Sequence, residues 1–187
     1  GFFLAVLRKP EEAEETDGGS HFPKKKKPKG ETAASSVSKE NLAVARGWLP
    51  TSDKYDLLVN GAVITAFSAL FLDDLAMLRS SLRIVQAGTE VAEVKGKDLI
   101  PAHGLAMSRL LETSLFPTEE LTYEQAIAYL RKEAITLSPS VPRGYVLVTY
   151  KKTPLGFVKN IGNRANNLYP QEWRIRSGYL PEEIRTL

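Results

Sequence analysis

One C-terminal stretch constrains the fold of this chain more than any other. Residues 145–150 read Tyr-Val-Leu-Val-Thr-Tyr, a run of β-branched, aromatic and leucine side chains that is typical of a largely buried strand. A polar break with a proline follows at residues 151–154, and the apolar pattern resumes at residues 155–159. The economical interpretation is a β-hairpin with a short loop.

Basic, amide and aromatic side chains are concentrated in the loop of this hairpin and just beyond it. Asn and Gly are frequent in residues 160–167, which predicts turns because both residue types tolerate positive φ. Cations suit phosphates and rings suit base faces, so the pattern favours a single-stranded or looped nucleic acid. The candidate RNA-binding residues are Lys151, Lys152, Lys159, Arg164, Asn166, Asn167, Tyr169, Arg174 and Arg176. The alternative is that Tyr169 and Trp173 are core residues and the cations form an ordinary solvated rim.

The distribution of charge favours a polyanion as the partner of the last quarter of the chain. Residues 31–140 hold 10 Lys or Arg and 14 Asp or Glu, whereas residues 141–187 hold 8 and 3. The net charge is therefore −4 in the first of these parts and +5 in the second, although the whole chain carries only +3.

Composition limits the chemistry of the chain. Its 187 residues include no cysteine, so it supplies no disulfide and no thiolate nucleophile. No glycine-rich phosphate loop, serine nucleophile motif or pair of suitably spaced carboxylates occurs, so no catalytic residue is assigned. His103 lacks the neighbouring ligands of a metal site, and we expect it to be a hydrogen-bonded structural residue. No apolar run approaches the ~20 residues of a membrane span and no secretory signal is found, which favours a cytoplasmic protein without a membrane partner.

The chain divides into four predicted parts. Residues 1–8 are strand-like, yet no partner strand follows before residue 41, so they resemble the end of a domain that lies outside the chain. Residues 9–40 predict a flexible charged linker. Its lysine run at residues 24–29 could alternatively be a tail that binds RNA in an accessory role. Residues 41–117 and 118–187 predict two small lobes and an α+β fold.

Several further strands are predicted within the lobes. The Asn60-Gly61 pair between two apolar runs predicts a hairpin with a type I′ turn. Residues 82–85 and 91–94, separated by a glycine-containing turn, predict another pair of strands. Residues 135–137 predict a short strand that leads into the C-terminal hairpin.

Three helices are predicted as well. Apolar residues at helical spacing predict one over residues 69–78 and a short one over residues 104–111. Thr122 and Gln125 have the spacing of a capping box, which predicts a helix over residues 123–133. Trp48, in the sequence Trp48-Leu49-Pro50, is expected to be a buried anchor before a turn.

Three sets of motifs carry a resemblance to a known family. Residues 1–9 read Gly-Phe-Phe-Leu-Ala-Val-Leu-Arg-Lys, and residues 99–107 read Leu-Ile-Pro-Ala-His-Gly-Leu-Ala-Met. Four further pieces lie in order at residues 129–133, 144–148, 154–159 and 167–170, followed by Arg174. They resemble, respectively, the closing catalytic strand, the first C-terminal domain and the PUA-like RNA-binding domain of the RsmF-like branch of the Nol/Nop/Sun family of RNA (cytosine-5) methyltransferases.

The resemblance implies that the C-terminal lobe is a PUA-like mixed β-barrel with a flanking helix. It implies the RNA-binding C-terminal region of an S-adenosylmethionine-dependent rRNA methyltransferase, which positions ribosomal RNA for a catalytic domain absent from this chain. S-adenosylmethionine is expected in that catalytic domain, and no cofactor is expected here. The family's catalytic cysteines and cofactor motifs have no counterpart in this sequence, and Gln171 stands where the family often has Lys. We therefore expect no methyl transfer by this chain alone.

An alternative function belongs to a different class. The two lobes could be a protein-docking structural module that clamps the catalytic domain or a ribosomal protein. Phe2, Phe3, Leu4 and Trp48 would then form an apolar face that a partner covers.

Overall fold

The computed structural model describes residues 37–50 and 53–178, which form two four-stranded sheets accompanied by short helices. The expected α+β class is therefore confirmed. The helices are α1 (Lys39–Gly47), α2 (Leu72–Ser81), α3 (His103–Ala106) and α4 (Tyr123–Leu130). The strands are β1 (Tyr55–Asn60), β2 (Val63–Ser68), β3 (Thr89–Lys95), β4 (Asp98–Pro101), β5 (Thr118–Glu120), β6 (Gly144–Tyr150), β7 (Thr153–Asn160) and β8 (Ala165–Asn167). The predictions for residues 1–36 lie outside the described residues.

Helix α1 begins inside the range that the sequence predicts as linker. The Ser38 hydroxyl accepts the N–H of Asn41 at 3.1 Å and so caps the first turn of the helix. Val37 is only 8% exposed and joins the apolar core. Regular structure thus precedes residue 41, because a serine cap and one buried valine suffice to start this helix.

The first sheet has the order β1-β2-β3-β4 and is antiparallel throughout. The hairpin predicted at Asn60-Gly61 is confirmed, but its turn is displaced by one residue. Asn60 pairs with Val63, so the loop consists of Gly61 and Ala62. Only Gly61 has positive φ, at 60°, which is the pattern of a type II′ turn rather than the predicted type I′ turn.

Two predicted elements of the first lobe differ in the structure. Residues 82–85 form no strand, because their predicted partner, which lies in β3, is already paired with β2 on one side and β4 on the other. The helix predicted over residues 104–111 ends at Ala106. The Ser108 hydroxyl donates to the Leu105 carbonyl at 2.8 Å and accepts the Leu110 N–H at 3.2 Å, and these bonds replace the continuing helical ladder.

The second sheet has the order β5-β6-β7-β8 and is mixed. Strand β5 runs parallel to β6, whereas β6, β7 and β8 are antiparallel neighbours. The predicted C-terminal hairpin is confirmed as β6 and β7, and its loop residues Lys151 and Lys152 both have positive φ, at 48° and 62°. Ile135 forms a single bridge with Ala165 instead of the short strand predicted over residues 135–137.

Helix α4 begins with the predicted capping box. The Thr122 side chain accepts the N–H of Gln125 at 3.3 Å, and the Gln125 side chain accepts the N–H of Thr122 at 2.9 Å. The helix ends at Leu130, three residues before the predicted end, and Lys132 takes a left-handed conformation with φ of 63°. A lysine in that conformation cannot continue a right-handed helix.

The two sheets share an apolar core, and all described residues belong to one compact unit. Phe116 lies where the sequence predicts a separation of two lobes, but its ring packs 5.4 Å from that of Trp48 and 4.9 Å from that of Phe157. Trp48, the expected anchor, is half-buried, whereas Leu147 and Phe157 of the second sheet are each 1% exposed. The segment around Phe116 therefore joins the sheets.

Candidate nucleic-acid interface

The loop of the β6–β7 hairpin presents two of the predicted RNA-binding cations. Lys151 and Lys152 are exposed, and the ammonium group of Lys151 lies 5.7 Å from the centre of the Tyr150 ring. The Glu120 carboxylate accepts the backbone N–H of Lys152 at 3.3 Å and the Thr149 hydroxyl at 2.5 Å. The Thr149 bond is the main cause that lowers the pKa of Glu120 below its ordinary value. A carboxylate therefore stands beside these two lysines.

Lys159, near the other end of β7, is paired with a carboxylate. Its ammonium nitrogen lies 2.6 Å from an oxygen of Asp98 on β4 and 5.5 Å from the centre of the Tyr145 ring. The bond to Asp98 raises the pKa of Lys159. Because both partners are partly exposed, this pair stabilises the fold by only about 0–1 kcal/mol. An RNA phosphate would have to displace Asp98 to reach this lysine.

Strand β8 carries two of the candidates, Asn166 and Asn167, and a third, Arg164, directly precedes it. Arg164 and Asn166 are exposed. The Asn167 side chain instead points inward, and its amide N–H groups donate to the carbonyls of Tyr129 at 2.8 Å and Glu133 at 3.0 Å. Both donors of Asn167 are thus engaged where α4 ends, so this residue shapes the turn, and an RNA contact by its N–H groups would break those bonds.

Tyr169 packs between the two sheets. Its ring lies 5.1 Å from that of His103 and 5.5 Å from that of Tyr129, in edge-on arrangements. The Lys132 ammonium group donates to the carbonyl of Tyr169 and fixes this segment to the end of α4. The alternative interpretation of Tyr169 as a packing residue therefore describes this half-buried ring well, and little of it is free to stack on a base.

Trp173 and the two arginines after it are exposed. Trp173 is 62% exposed and its ring lies edge-on to that of His103 at 5.3 Å, so it is no core residue. Arg174 and Arg176 lie on either side of Ile175, whose N–H donates to the Leu130 carbonyl at 2.9 Å. That bond holds the extended segment against α4 while both guanidinium groups face solvent.

His103 is structural but lacks the expected hydrogen bond. Its Nδ1 atom is buried and has no hydrogen-bond partner among the residues that the structure describes. Burial lowers the pKa of the imidazole, which keeps the ring neutral at pH 7. A Cβ at Gly156 would lie 2.9 Å from Nδ1 and would overlap the Tyr129 hydroxyl, so this glycine with φ of 144° lets β7 approach both rings. Ring packing, rather than hydrogen bonding, holds His103 in place.

A cleft of about 800 Å³ lies beside this aromatic cluster, between β3, β4 and the segment that follows β8. Its charged lining residues have both signs, namely Lys95 and Lys132 with Glu90, Glu93 and Glu172. A polyanion would meet three carboxylates in this cleft, so its charge does not favour RNA.

A second groove, of about 520 Å³, has a different character. It lies between the segment 136–143 and the segment 160–165, and we call it the two-arginine groove because Arg143 and Arg164 line it. The remaining lining residues are uncharged: Thr136, Leu137, Ser138, Pro139, Ser140, Val141, Pro142, Asn160, Gly162, Asn163 and Ala165. The charge of this groove is therefore purely positive.

Asn160 holds the two walls of this groove together. It is 8% exposed, and its amide N–H groups donate to the carbonyls of Val141 at 3.0 Å and Pro142 at 3.1 Å. Its side-chain oxygen accepts the N–H of Gly162 at 2.9 Å. One buried amide thus connects both segments through three hydrogen bonds, which fixes the width of the groove.

Sequence reasoning missed Arg143 and Asn160 as site residues. Arg143 precedes the apolar run of β6 by two positions and looks like an ordinary polar flank. Asn160 is predicted only as a turn former. A usable signal was present, because an asparagine at the end of an apolar strand and before a glycine often bonds to nearby backbone groups.

The described residues offer neither a metal site nor a membrane span. Within residues 37–50 and 53–178, no group of three or more His, Asp or Glu side chains could hold a metal ion. A search of the same residues finds no helix that is both long and apolar enough to cross a bilayer.

Comparison with protein families finds a similarity that covers the second sheet. Residues 116–175 match the family described as the methyltransferase RsmF PUA domain. The matched range contains β5, α4, β6, β7 and β8 and both arginines of the two-arginine groove. The second sheet and its helix are therefore similar to the PUA domains of that family.

The similarity to curated proteins extends over most of the chain. Ribosomal RNA small subunit methyltransferase F of Shewanella piezotolerans is 28% identical over 177 residues, which cover 92% of this chain and 35% of that protein. The protein of the same name from Shewanella loihica is 29% identical, with 92% and 34% covered, and that from Shigella boydii is 31% identical, with 59% and 23% covered. The chain spans about a third of the length of the two Shewanella proteins. These matches confirm the predicted resemblance to an RsmF-like C-terminal region.

Proposed function

We propose that this chain is the RNA-binding region of an S-adenosylmethionine-dependent rRNA (cytosine-5) methyltransferase. The single observation that carries the proposal is the match of residues 116–175 to the RsmF PUA domain. In this proposal residues 41–117 and 118–187 are the two C-terminal domains, and the second is a PUA-like mixed β-barrel with a flanking helix. Its role is to position ribosomal RNA for a catalytic domain that this chain does not contain.

The exposed arginines are proposed to provide most of the affinity. Arg164, Arg174 and Arg176 face solvent, and no ion pair occupies them among the residues that the structure describes. Each cation that meets a phosphate releases counterions, and this release favours binding. Lys159 joins the surface by exchanging Asp98 for a phosphate, whereas Lys151 and Lys152 extend it at the far end of the hairpin.

The chemistry of methyl transfer is assigned to the catalytic domain. The chain has no cysteine nucleophile and no glycine-rich loop that would fit S-adenosylmethionine, so no step of the reaction is derived for its residues. The proposed partners are ribosomal RNA and the catalytic domain, and the proposed location is the cytoplasm, where bacterial ribosomal RNA is made.

RNA binding by the chain tests this proposal. Fluorescence anisotropy with labelled stem-loop fragments of small-subunit ribosomal RNA is expected to show binding that weakens steeply between about 50 and 200 mM salt. Replacing Arg164, Arg174 and Arg176 by Ala is expected to reduce both the affinity and the salt dependence. Binding that is absent at about 50 mM salt, or that is equally strong in the triple variant, would contradict the proposal.

A second candidate function is favoured by an apolar surface on the first lobe. Helix α2 and its flanks expose six large apolar side chains: Leu70 (80%), Phe71 (50%), Met77 (63%), Leu78 (42%), Leu82 (58%) and Val85 (93%). A concentration of this kind is typical of protein contact sites. We propose that the catalytic domain covers this face, since the relatives are about three times as long as the matched region.

The docking candidate has a separate test. A catalytic domain of the Shewanella piezotolerans relative, expressed separately, is expected to co-purify with this chain at high salt and after nuclease treatment. Leu70→Ser combined with Val85→Ser is expected to abolish that association while RNA binding remains. Loss of the association on nuclease treatment would remove the candidate.

A further inference from the structure

The two-arginine groove has walls that are fixed before any ligand arrives. Asn160 connects them at one end, as described above. At the other end, the N–H and the hydroxyl of Ser138 both donate to one carboxylate oxygen of Glu119, at 3.0 and 2.5 Å. The N–H of Ile161 donates to the Arg164 carbonyl at 3.0 Å and closes the turn between β7 and β8. Binding would therefore cost little further ordering of the backbone.

Gly162 positions the side chain of Arg143. This glycine has φ of 104°, and a Cβ there would lie 2.8 Å from both Nε and Nη2 of Arg143. The guanidinium group therefore rests against the backbone of the opposite wall, in space that only a glycine leaves open. Arg143 is thereby held across the groove.

The positive charge of the groove is not neutralised by its surroundings. In the described part of the chain, neither Arg143 nor Arg164 forms an ion pair, and the lining contains no carboxylate. Glu119, the acid bonded to a lining residue, is already occupied by the two donors of Ser138. Two planar donor forks facing a groove without acids match a phosphate, because each guanidinium can donate two parallel hydrogen bonds to it.

We propose that the two-arginine groove binds a single nucleotide of an unpaired or looped RNA, with its phosphate between Arg143 and Arg164. The proposal rests on the proposed RNA-binding function and assigns one subsite to it. A volume of about 520 Å³ suits a ligand of nucleotide size. A recess between two loops accepts a nucleotide that is splayed out of a strand, whereas the stacked nucleotides of a duplex cannot enter it.

The test compares two pairs of arginines on the same labelled RNA stem-loop. Arg143→Ala with Arg164→Ala is expected to weaken binding about tenfold or more. It should also reduce the slope of log affinity against log salt by about 0.7, which is the contribution of the one phosphate contact that the two arginines share. Arg79→Ala with Arg83→Ala removes the same charge from exposed positions near α2 and should change affinity less than about twofold.

A charge-conserving variant separates recognition of a phosphate from general attraction. Arg143→Lys with Arg164→Lys keeps both charges but loses the planar forks, so we expect the salt slope to remain while affinity falls several-fold. Binding by this variant as tight as that of the original chain would overturn the forked subsite. A fully paired RNA of equal length should bind more weakly than the stem-loop, and its binding would be indifferent to the arginine substitutions.

The experiments distinguish an error in the proposed subsite from an error in the proposed RNA-binding function. If the unaltered chain binds no RNA, the proposed function fails, and the subsite with it. If the chain binds RNA but the Arg143/Arg164 variant behaves like the Arg79/Arg83 control, the subsite alone is overturned. Displacement of the RNA from the groove by a polyglutamate peptide at equal charge would also overturn the subsite. Binding in the groove would then depend on charge and not on the shape of a nucleotide.

Discussion

The two ends of the β6–β7 hairpin both carry cations, but they differ in how those cations are held. At the loop end, Lys151 and Lys152 project from a tight turn beside the Glu120 carboxylate. At the open end, Arg143 and Arg164 line a groove without acids whose walls Asn160 holds together. The eight residues of β7 separate these ends by roughly 26 Å.

A cluster of basic side chains is therefore not by itself a binding site. Free lysine side chains lose rotamer entropy on binding and are already attracted to a nearby carboxylate. A guanidinium group that rests on Gly162 has lost part of that freedom in the folded protein. We therefore expect the open end of the hairpin to contribute more affinity than its loop end, although each end carries two cations.

The largest expected effect is the loss of stability on replacing Asn160, which holds together the groove at the open end of the hairpin. Asn160→Ala removes three hydrogen bonds and leaves the carbonyls of Val141 and Pro142 without these donors. We expect the free energy of unfolding to fall by about 2–3 kcal/mol, measured by urea denaturation. Asn163→Ala, at an exposed position of the same groove, is the control and should change it by less than about 0.5 kcal/mol. Equal effects of the two substitutions would show that Asn160 does not hold the walls.

The next effect isolates the placement of Arg143. Gly162→Ala and Gly144→Ala both put an alanine at positive φ, so each should destabilise the fold by about 1–2 kcal/mol. Only the new Cβ at residue 162 would meet the Arg143 guanidinium, since the space at residue 144 is open. RNA affinity, measured by anisotropy, should therefore fall in the Gly162 variant alone. Equal affinity of both variants would mean that the position of Arg143 is immaterial.

The smallest expected effect lies at the loop end and depends on pH. The pKa of Glu120 is lowered from its ordinary value of 4.5, chiefly by the Thr149 hydroxyl, so the folded state favours the carboxylate. Its stabilisation is present above about pH 4.5 and is lost as the pH falls through the lowered pKa. Glu120→Gln should therefore show a smaller decrease in Tm on acidification than the original chain.

Glu93→Gln, at an exposed position of β3, is the matched control for this pH experiment. Its Tm should decrease on acidification as that of the original chain does. Parallel Tm profiles for the Glu120 variant and the original chain would contradict a structural role of this carboxylate at the hairpin loop.

Elements that are determined by residues close together in the sequence could be predicted. The C-terminal hairpin follows from two apolar runs separated by a polar break, and the capping box of α4 from Thr122 and Gln125 alone. The α+β class follows from such elements. The apolar run at residues 82–85 was predicted wrongly as a strand, because its expected partner in β3 already has a neighbouring strand on each side.

The candidate site depended more on contacts between distant residues. Lys159 meets Asp98, which is 61 positions away, so no pattern of charges along the chain predicts that pair. The inward orientation of Asn167 and the role of Asn160 likewise depend on which carbonyls the folded loops bring near. The sequence therefore predicted the region rich in cations, whereas the groove within it required the structure.

The proposal that RNA binds at the open end of the hairpin is tested most directly by the salt dependence of RNA binding. The comparison uses two variants at opposite ends of the hairpin. Both variants, Arg143→Ala with Arg164→Ala and Lys151→Ala with Lys152→Ala, remove two positive charges. We predict that the arginine pair lowers the slope of log affinity against log salt by about 0.7, and that the lysine pair lowers it by less than half as much. Equal changes in slope for the two pairs, or a larger change for the lysines, would contradict the claim that the open end of the hairpin binds the RNA.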